Sequence, residues 1–363
     1  MKILFIDLLS PIGHKNYDYG ILKYLSELCK VDILVRNNFL ELEKNKIYVN
    51  DINYIPDEFI PEILKEKYKN INFYKIKFRI MQCKCMKWIK KKFDIEAYDL
   101  IFFSSVDIIS FAISTQNIKT RCVFVDHSIS DIDYSYMKIF FWRHINKKID
   151  VVVMEPYIKN YIRDIIKVHN KIWTVPHPLP SINVNNYNTV IKPQNKKVIF
   201  APGLSNDEAF IDFIINNQEK IPRQYKIIIR SEIRSISLEN IEVYNKRISD
   251  EEYYGTMTNS SYVLLPYDEK YNYKTSGVFF ESSSFNKPML INNNNTLKNY
   301  NDIYPELIKL FDGFDDFLVL LEKIKKDEFS PNLDMFDKVL FDYSDEVIKK
   351  HLLKMIEGSS SIR

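Results

Sequence analysis

Leu264-Leu265-Pro266-Tyr267-Asp268, a polar loop to Tyr273-Lys274-Thr275-Ser276-Gly277, then Val278-Phe279-Phe280-Glu281-Ser282 and Asn286-Lys287-Pro288-Met289-Leu290: this stretch reads as strand, loop, helix, turn and strand. A helix opening at Ser276-Gly277 presents free backbone N–H groups and the positive end of its dipole. The stretch is therefore one βα unit of a parallel sheet, with an anion-friendly helix end at the carboxyl edge of its first strand.

The same alternation runs outward in both directions. Strands are expected in the second half at residues 198–201, 225–229, 241–244, 262–265 and 288–291, with helices at 209–216 and 250–257 between them. In the first half they are expected at 3–8, 31–35, 100–103, 122–125, 151–154 and 172–175. Ile21, Leu22, Leu25 and Leu28 recur at helical spacing, and residues 155–168 follow their strand in the same way. Pro176-His177-Pro178-Leu179-Pro180 and the Asn-rich residues 181–197 interrupt the pattern without any apolar period, so they read as a linker. The chain thus divides into a first domain at 1–180, a linker at 181–197, a second domain at 198–340 and a last amphipathic helix within 341–363. The fold class is α/β: two doubly wound, Rossmann-like domains facing a central cleft, where ligands bind beyond the carboxyl ends of the strands.

Composition narrows the chemistry. The chain has 363 residues, enough for two cores, and 46% hydrophobic against 27% charged residues, which excludes a disordered chain or a membrane bundle. Only 7 are glycines, where an ordinary domain has about 7%. Neither a dinucleotide fingerprint nor a P-loop is present, so NAD dehydrogenases and P-loop NTPases are set aside. Cys29, Cys83, Cys85 and Cys122 form no Cys-x-x-Cys pair and have no His at zinc-finger spacing, which suits reduced thiols and no metal. The opening apolar run meets Asp7 at once, and no run approaches a membrane span, so the expectation is a cytoplasmic protein without a transmembrane helix.

Charge is uneven. Residues 1–190 hold 28 Lys/Arg against 21 Asp/Glu, and the remainder 23 against 27. The excess lies between Lys65 and Lys92, where lysines interleave with Tyr68, Phe73, Tyr74, Phe78, Met81, Met86, Trp88 and Phe93. Such a segment, over residues 65–93, is expected to meet the anionic inner face of the cell membrane, with Trp88, Phe93 and Met86 inserting. A solvated helical face is the plainer alternative. No nucleic-acid motif accompanies it and the whole chain is close to neutral, so no nucleic acid is expected as partner.

The segment from Leu264 to Leu290 resembles the donor-binding segment of two-Rossmann-domain (GT-B) glycosyltransferases of the bacterial surface-polysaccharide type. In that family a strand ends in Pro, a Ser-Gly pair opens a helix bearing a Glu, and a Lys-Pro turn starts the next strand. The resemblance implies a transferase that moves a sugar from a nucleotide-diphosphate donor, UDP- or GDP-linked, to a saccharide or polyprenyl-diphosphate-linked acceptor, as in O-antigen or capsule synthesis. It needs no cofactor and no metal. Ser276, Gly277, Thr275 and Lys274 would hold the diphosphate, Glu281 the ribose or sugar hydroxyls, and Pro266 and Tyr267 the nucleotide pocket. The last helix would cross back to the first domain. Two departures stand out. An acidic residue of the large retaining branch is replaced by Tyr273, and the loop Pro202-Gly203-Leu204-Ser205-Asn206-Asp207, which would approach the donor at Gly203, carries no cation. Lys274 and Arg230, at the end of the run Lys226 to Arg230, are the substitutes for that charge.

On the acceptor side, Gly13-His14 resembles the Gly-His loop of several inverting members, and Asp126-His127 follows a strand at the cleft end. His14 could serve as general base toward an acceptor hydroxyl, the resemblance implies a donor-contacting role for His127, and Asp126 could be a base or orient that imidazole. His177, between two prolines, reads as structural. The alternatives are a polyol-phosphate or pyruvyl transferase on the same two-domain plan, and a catalytically silent nucleotide- or sugar-binding module.

Overall fold

The run Lys2–Asp7, KILFID, is buried along nearly its whole length, as expected of a parallel strand covered on both faces by helices. It lies at the centre of the first of two sheets. In this unit the elements are β1 (Lys2–Asp7), α1 (Lys15–Leu28), β2 (Lys30–Val35), β3 (Asp51–Tyr54), α2 (Ile71–Lys92), β4 (Leu100–Ser105), α3 (Ile108–Ser114), β5 (Cys122–Val125), α4 (Tyr136–Arg143), β6 (Ile149–Val153), α5 (Pro156–Asn160) and β7 (Ile172–Thr174). The strands are all parallel, in the order β3-β2-β1-β4-β5-β6-β7. The computed structural model describes residues 1–10, 14–37, 39–40, 42, 47–59, 71–127, 135–180, 187, 196–326, 329 and 331–358.

The second unit repeats the plan with β8 (Lys197–Ala201), α6 (Glu208–Asn216), β9 (Tyr225–Arg230), β10 (Ile236–Ser237), β11 (Ile241–Tyr244), α7 (Asp250–Asn259), β12 (Ser260–Leu265), α8 (Gly277–Ser284), β13 (Met289–Asn292), α9 (Asn295–Ile303), β14 (Ile308–Phe311), α10 (Phe314–Lys326) and α11 (Leu333–Asp342). Its order is β10-β11-β9-β8-β12-β13-β14, parallel except for the β10–β11 pair. In each sheet the chain order reverses beside the first strand, between β1 and β4 and between β8 and β12. At such a point the flanking connections leave to opposite faces and open a crevice at the carboxyl edge.

The chain divides into Met1–Pro178 with Asp345–Arg363, and Leu179–Ser344. The helix α12 (Asp345–Glu357) returns to the first unit. Its Ile348, Leu352, Met355 and Ile356 join a core with Ile21, Leu22 and Leu25 of α1. Asp345 accepts from Tyr24 Oη at 2.6 Å and from Lys23 Nζ at 2.7 Å. Arg121 donates to the carbonyls of Met355 at 2.6 Å and Ile356 at 2.7 Å, satisfying acceptors that a helix end leaves open. Apart from Tyr187, Lys196 and Lys197, the linker expected over 181–197 lies outside the described residues, and Lys197 already begins β8.

Several elements differ from expectation. β3, β10 and β14 were not expected: β3 is an exposed edge strand, β10 has two residues and β14 has four with a lysine inside. The helix expected over 155–168 is α5 followed by a π-helical turn, Tyr161–Ile166, closed by Lys167 at φ 61°. In α2, Met86 is buried and Trp88 packs between Phe59 and Phe93, each at 5.8 Å. Buried Met86 and half-buried Trp88 and Phe93 thus pack within the fold, where they were expected to stand out from the surface. Residues 65–70 lie outside the described residues. Among the described residues no helix is long and apolar enough to cross a membrane.

Candidate functional site

In the first unit the crevice between β1 and β4 gathers an unusual set of polar groups. Asp7 is the last residue of β1, and Ser104 and Ser105 are the last of β4, all of them buried. Asp18, in the first turn of α1, falls on the same helical stripe as Ile21, Leu22 and Leu25 and is carried into the interior with them. The Ser104 hydroxyl donates to Asp18 Oδ1, and the Leu9 N–H donates to Asp7 Oδ1 at 2.8 Å. The other two oxygens, Asp7 Oδ2 and Asp18 Oδ2, are buried with no donor among the described residues. The two buried carboxyl groups bias each other's protonation, and a proton on the pair supplies a donor where the described residues offer none. Burial pushes Asp7 up to about 6. Burial and the neighbouring Asp7 push Asp18 well above the carboxylate range. The pair therefore carries a proton near neutral pH.

Above this pair stand two imidazoles. His14, just before α1, is exposed and stacks on half-buried His127 with ring centroids 3.9 Å apart and 13° between planes. Tyr17 meets His127 edge-on at 4.9 Å and reaches His177 at 5.5 Å. His127 Nε2 lies 2.9 Å from the carbonyl of Ser104. A carbonyl only accepts, so Nε2 carries the hydrogen and Nδ1 keeps the lone pair in the neutral ring. Burial, then the neighbouring His14, hold His127 well below the usual histidine range. His177, bonded to Pro178 O at 2.6 Å, is pushed down to about 4 by burial. Stacked rings repel if both are charged, so the stack favours one neutral ring, and buried His127 is that ring. Asp126 is half-buried, with its N–H on Val152 O at 2.9 Å. Gly13 lies outside the described residues.

In the second unit the crevice between β8 and β12 is built by backbone as much as by side chains. Asn206 donates to Ala201 O and to Arg230 O, both at 2.9 Å, which ties the loop after β8 to the end of β9. The Asp207 N–H donates to Pro266 O at 2.8 Å, tying the same loop to β12. Gly203 is required here: a Cβ would lie 2.7 Å from the Tyr267 ring and 3.1 Å from Asn206 Oδ1. Tyr267, expected to shape a nucleotide pocket, is buried under this loop with its Oη 3.4 Å from Ser276 Oγ. It supports the helix start rather than walling a pocket.

Ser276 caps α8, its hydroxyl accepting from Phe279 N at 3.3 Å. Tyr300 Oη accepts from Ser276 N at 3.4 Å. Gly277 is exposed, and a Cβ there would touch nothing. The start of α8 lies next to Lys274, whose N–H donates to Thr296 Oγ1 at 3.2 Å and whose Nζ lies 5.8 Å from the Tyr271 ring. Thr275 offers its carbonyl to Tyr271 Oη at 3.1 Å. Tyr273, where the retaining branch carries an acid, holds a left-handed φ of 59°; for a residue with a Cβ that conformation costs about 1–2 kcal/mol. One turn into α8, half-buried Glu281 accepts from Tyr253 Oη at 2.5 Å, and burial pushes its carboxyl up to about 7.

Sequence reasoning missed Asp7, Asp18, Tyr17, Ser104, Asn206 and Tyr253, and set His177 aside. Asp7 and Asp18 had a readable signal, a carboxylate ending an apolar strand and another inside the apolar stripe of a helix. Tyr253 had none. Among the described residues no group of three His, Cys, Asp or Glu is placed to hold a metal ion.

No protein-family model matches the sequence, and no curated protein matches it. Solved structures do match in fold. A glycosyltransferase from Rickettsia africae ESF-5 is 13% identical, over 99% of both chains, at a TM-score of 0.64. Anabaena HepE in complex with UDP-glucose is 11% identical, over 99% of this chain and all of the other, at 0.65. A UDP-N-acetylglucosamine 2-epimerase is 10% identical, over 100% of this chain and 98% of the other, at 0.57. At these identities the likeness is one of fold: two doubly wound domains of the GT-B type.

Proposed function

We propose that this chain is a glycosyltransferase that moves a sugar from a nucleoside-diphosphate donor to a saccharide acceptor, free or carried on a polyprenyl diphosphate, in surface-polysaccharide assembly. The observation that carries the reading is the start of α8: an exposed, glycine-opened helix end with Lys274 beside it and a held carboxylate, Glu281, one turn along. Backbone N–H donors and a lysine suit a diphosphate, and a carboxylate at that distance suits the ribose hydroxyls. The structures of like fold support it, since HepE was solved with UDP-glucose bound. The epimerase among them shows that the fold alone does not fix the reaction.

In this reading the second unit holds the donor and the first supplies the base. The acceptor hydroxyl attacks the anomeric carbon, its proton passes to His14, and the bond from that carbon to the diphosphate oxygen breaks. The leaving diphosphate gathers negative charge, which the α8 N–H groups and Lys274 stabilise. Neutral His127, fixed by Ser104, holds the His14 ring by stacking. Direct displacement of this kind inverts the anomeric centre. The test is turnover with UDP- and GDP-sugars and lipid-linked acceptors. His14→Ala should lower kcat by about 10²–10⁴-fold while leaving donor affinity unchanged. Full activity in His14→Ala would remove the base from the proposal, and no turnover with any donor in the wild type would remove the transferase.

A further inference from the structure

Helices α2, α3 and α4 lie side by side over one face of the first sheet. Arg79 of α2 pairs with Asp107, the N-cap of α3, at 3.5 Å. Cys83 Sγ lies 3.8 Å from Ser110 O, and Gln116 donates to His144 O at 2.9 Å. The three helices form one continuous outer surface.

That surface has a one-sided charge. Helix α2 carries eight Lys/Arg and no Asp or Glu, and α4 carries Lys138 and Arg143, likewise without a carboxylate; beyond the helices Lys119 pairs with Glu96 at 3.8 Å and Arg121 with Asp150 at 2.9 Å. Asp107, at its edge, is engaged by Arg79 and by the Ser110 N–H at 2.9 Å.

It also carries exposed apolar side chains, of which Phe140 is stacked on His144 at 4.1 Å. Ile76, Ile80, Ile113, Tyr136, Met137 and Phe140 are each more than half exposed, Tyr136 at 93%. On α2 the exposed positions 76, 80, 84, 87 and 91 follow one helical stripe, two isoleucines and then three lysines, while Gln82, Cys85, Met86 and Ile89 are buried on the opposite side. On α4, Trp142 enters the core and Tyr136, Met137 and Phe140 point away from it.

Single exposed apolar residues are ordinary, but a group on helices that carry cations and, among the described residues, no carboxylate of their own calls for a partner that accepts both. A second copy of the same face would bring like charges together. A nucleic acid would satisfy the cations and leave the isoleucines and methionine in water. A bilayer with anionic headgroups takes the lysines at its surface and the aliphatic and aromatic side chains just below it. We propose that the α2–α3–α4 face docks this protein on an anionic lipid bilayer, with Ile76, Ile80, Met137 and Phe140 as the inserting residues.

The surface is also placed to serve the site. Gln82 of α2 donates to Leu8 O at 3.1 Å, and Arg79 holds the residue that caps α3 just after β4. The first half of α2 therefore stands at the edge of the sheet that bears Asp7 and His127. Docking would bring a lipid-borne acceptor to that edge. This last point rests on the transferase reading; the docking itself does not.

The test is co-sedimentation of the full chain with vesicles of phosphatidylcholine alone or of phosphatidylcholine with phosphatidylglycerol. Partitioning onto the anionic vesicles should be at least about tenfold stronger and should weaken with salt. Ile76→Ser with Ile80→Ser, and separately Met137→Ser with Phe140→Ser, should each weaken it with far-ultraviolet circular dichroism unchanged. Lys84→Gln, Lys87→Gln and Lys91→Gln together should flatten the salt dependence. Equal binding to both vesicle types, binding to neither, tighter binding to duplex RNA, or a dimer in light scattering that Ile80→Ser dissolves would each overturn the proposal. The vesicle assay contains no nucleotide and no acceptor, so its failure is distinct from a failure of donor binding or turnover.

Discussion

Glu281 sits half-buried on α8 with Tyr253 Oη donating to it, and burial lifts its carboxyl from the ordinary 4.5 to about 7. Below pH 4.5 the folded and unfolded chains both hold this proton; between 4.5 and 7 only the folded chain does, so the group's contribution to stability falls as pH rises and is at its worst above 7. Glu281→Gln removes that penalty and should stabilise the protein by about 1–3 kcal/mol at pH 8 and by little at pH 4, as read by urea unfolding. Binding should run the other way. A carboxylate that accepts from ribose hydroxyls must be ionised, so wild-type affinity for a nucleoside diphosphate should fall as pH drops below 7, and the Gln variant should bind weakly throughout. Flat affinity from pH 6 to 8 would detach Glu281 from the ribose. At this scale the sequence placed Glu281 one turn into a helix that Ser276-Gly277 opens, and the structure has that helix there. It did not show Tyr253, which reaches Glu281 only because α7 packs against α8.

The C-terminal helix α12 is the element whose placement depends most on distant contacts. Leu352 is fully buried in the α1 core, and Arg121 binds the carbonyls of Met355 and Ile356 while pairing with Asp150 at 2.9 Å. Leu352→Ala should therefore cost about 2–5 kcal/mol. All three tryptophans, Trp88, Trp142 and Trp173, belong to the first unit, so their fluorescence in urea reports this loss directly. A loss under about 1 kcal/mol would mean that α12 adds little to that core. Elements with buried apolar positions were legible from sequence: β1, β2, β5 and β8 as buried runs and β11 by alternation fall where periodicity put them. Those without one were not. β3 is an edge strand with its side chains largely in water, so Asp51 to Tyr54 shows no apolar face to read. The π-helical turn after α5 has the same apolar spacing as an ordinary helix, and only the backbone distinguishes the two.

At the scale of the whole chain, two sheets with matching strand order place each unit's crevice beside its first strand. Alternating strands and helices made this architecture legible, and the α8 segment is the basis for proposing the second unit as the donor side. The buried Asp7–Asp18 pair and the stacked histidines were not legible as a group, because they come from β1, α1 and the loop after β5 and meet only in the folded sheet. Uneven charge between the halves was visible, but its location on one face of three helices was not, since periodicity does not say which helices are neighbours. The central claim is that the second unit binds a nucleoside diphosphate at the start of α8. Calorimetric titration with UDP, GDP, CDP and CMP, with Glu281→Ala and Lys274→Ala beside the wild type, tests it most directly. The account predicts micromolar binding of one nucleoside diphosphate, weakened in both variants; no binding of any of the four, or binding that both variants retain in full, would contradict it.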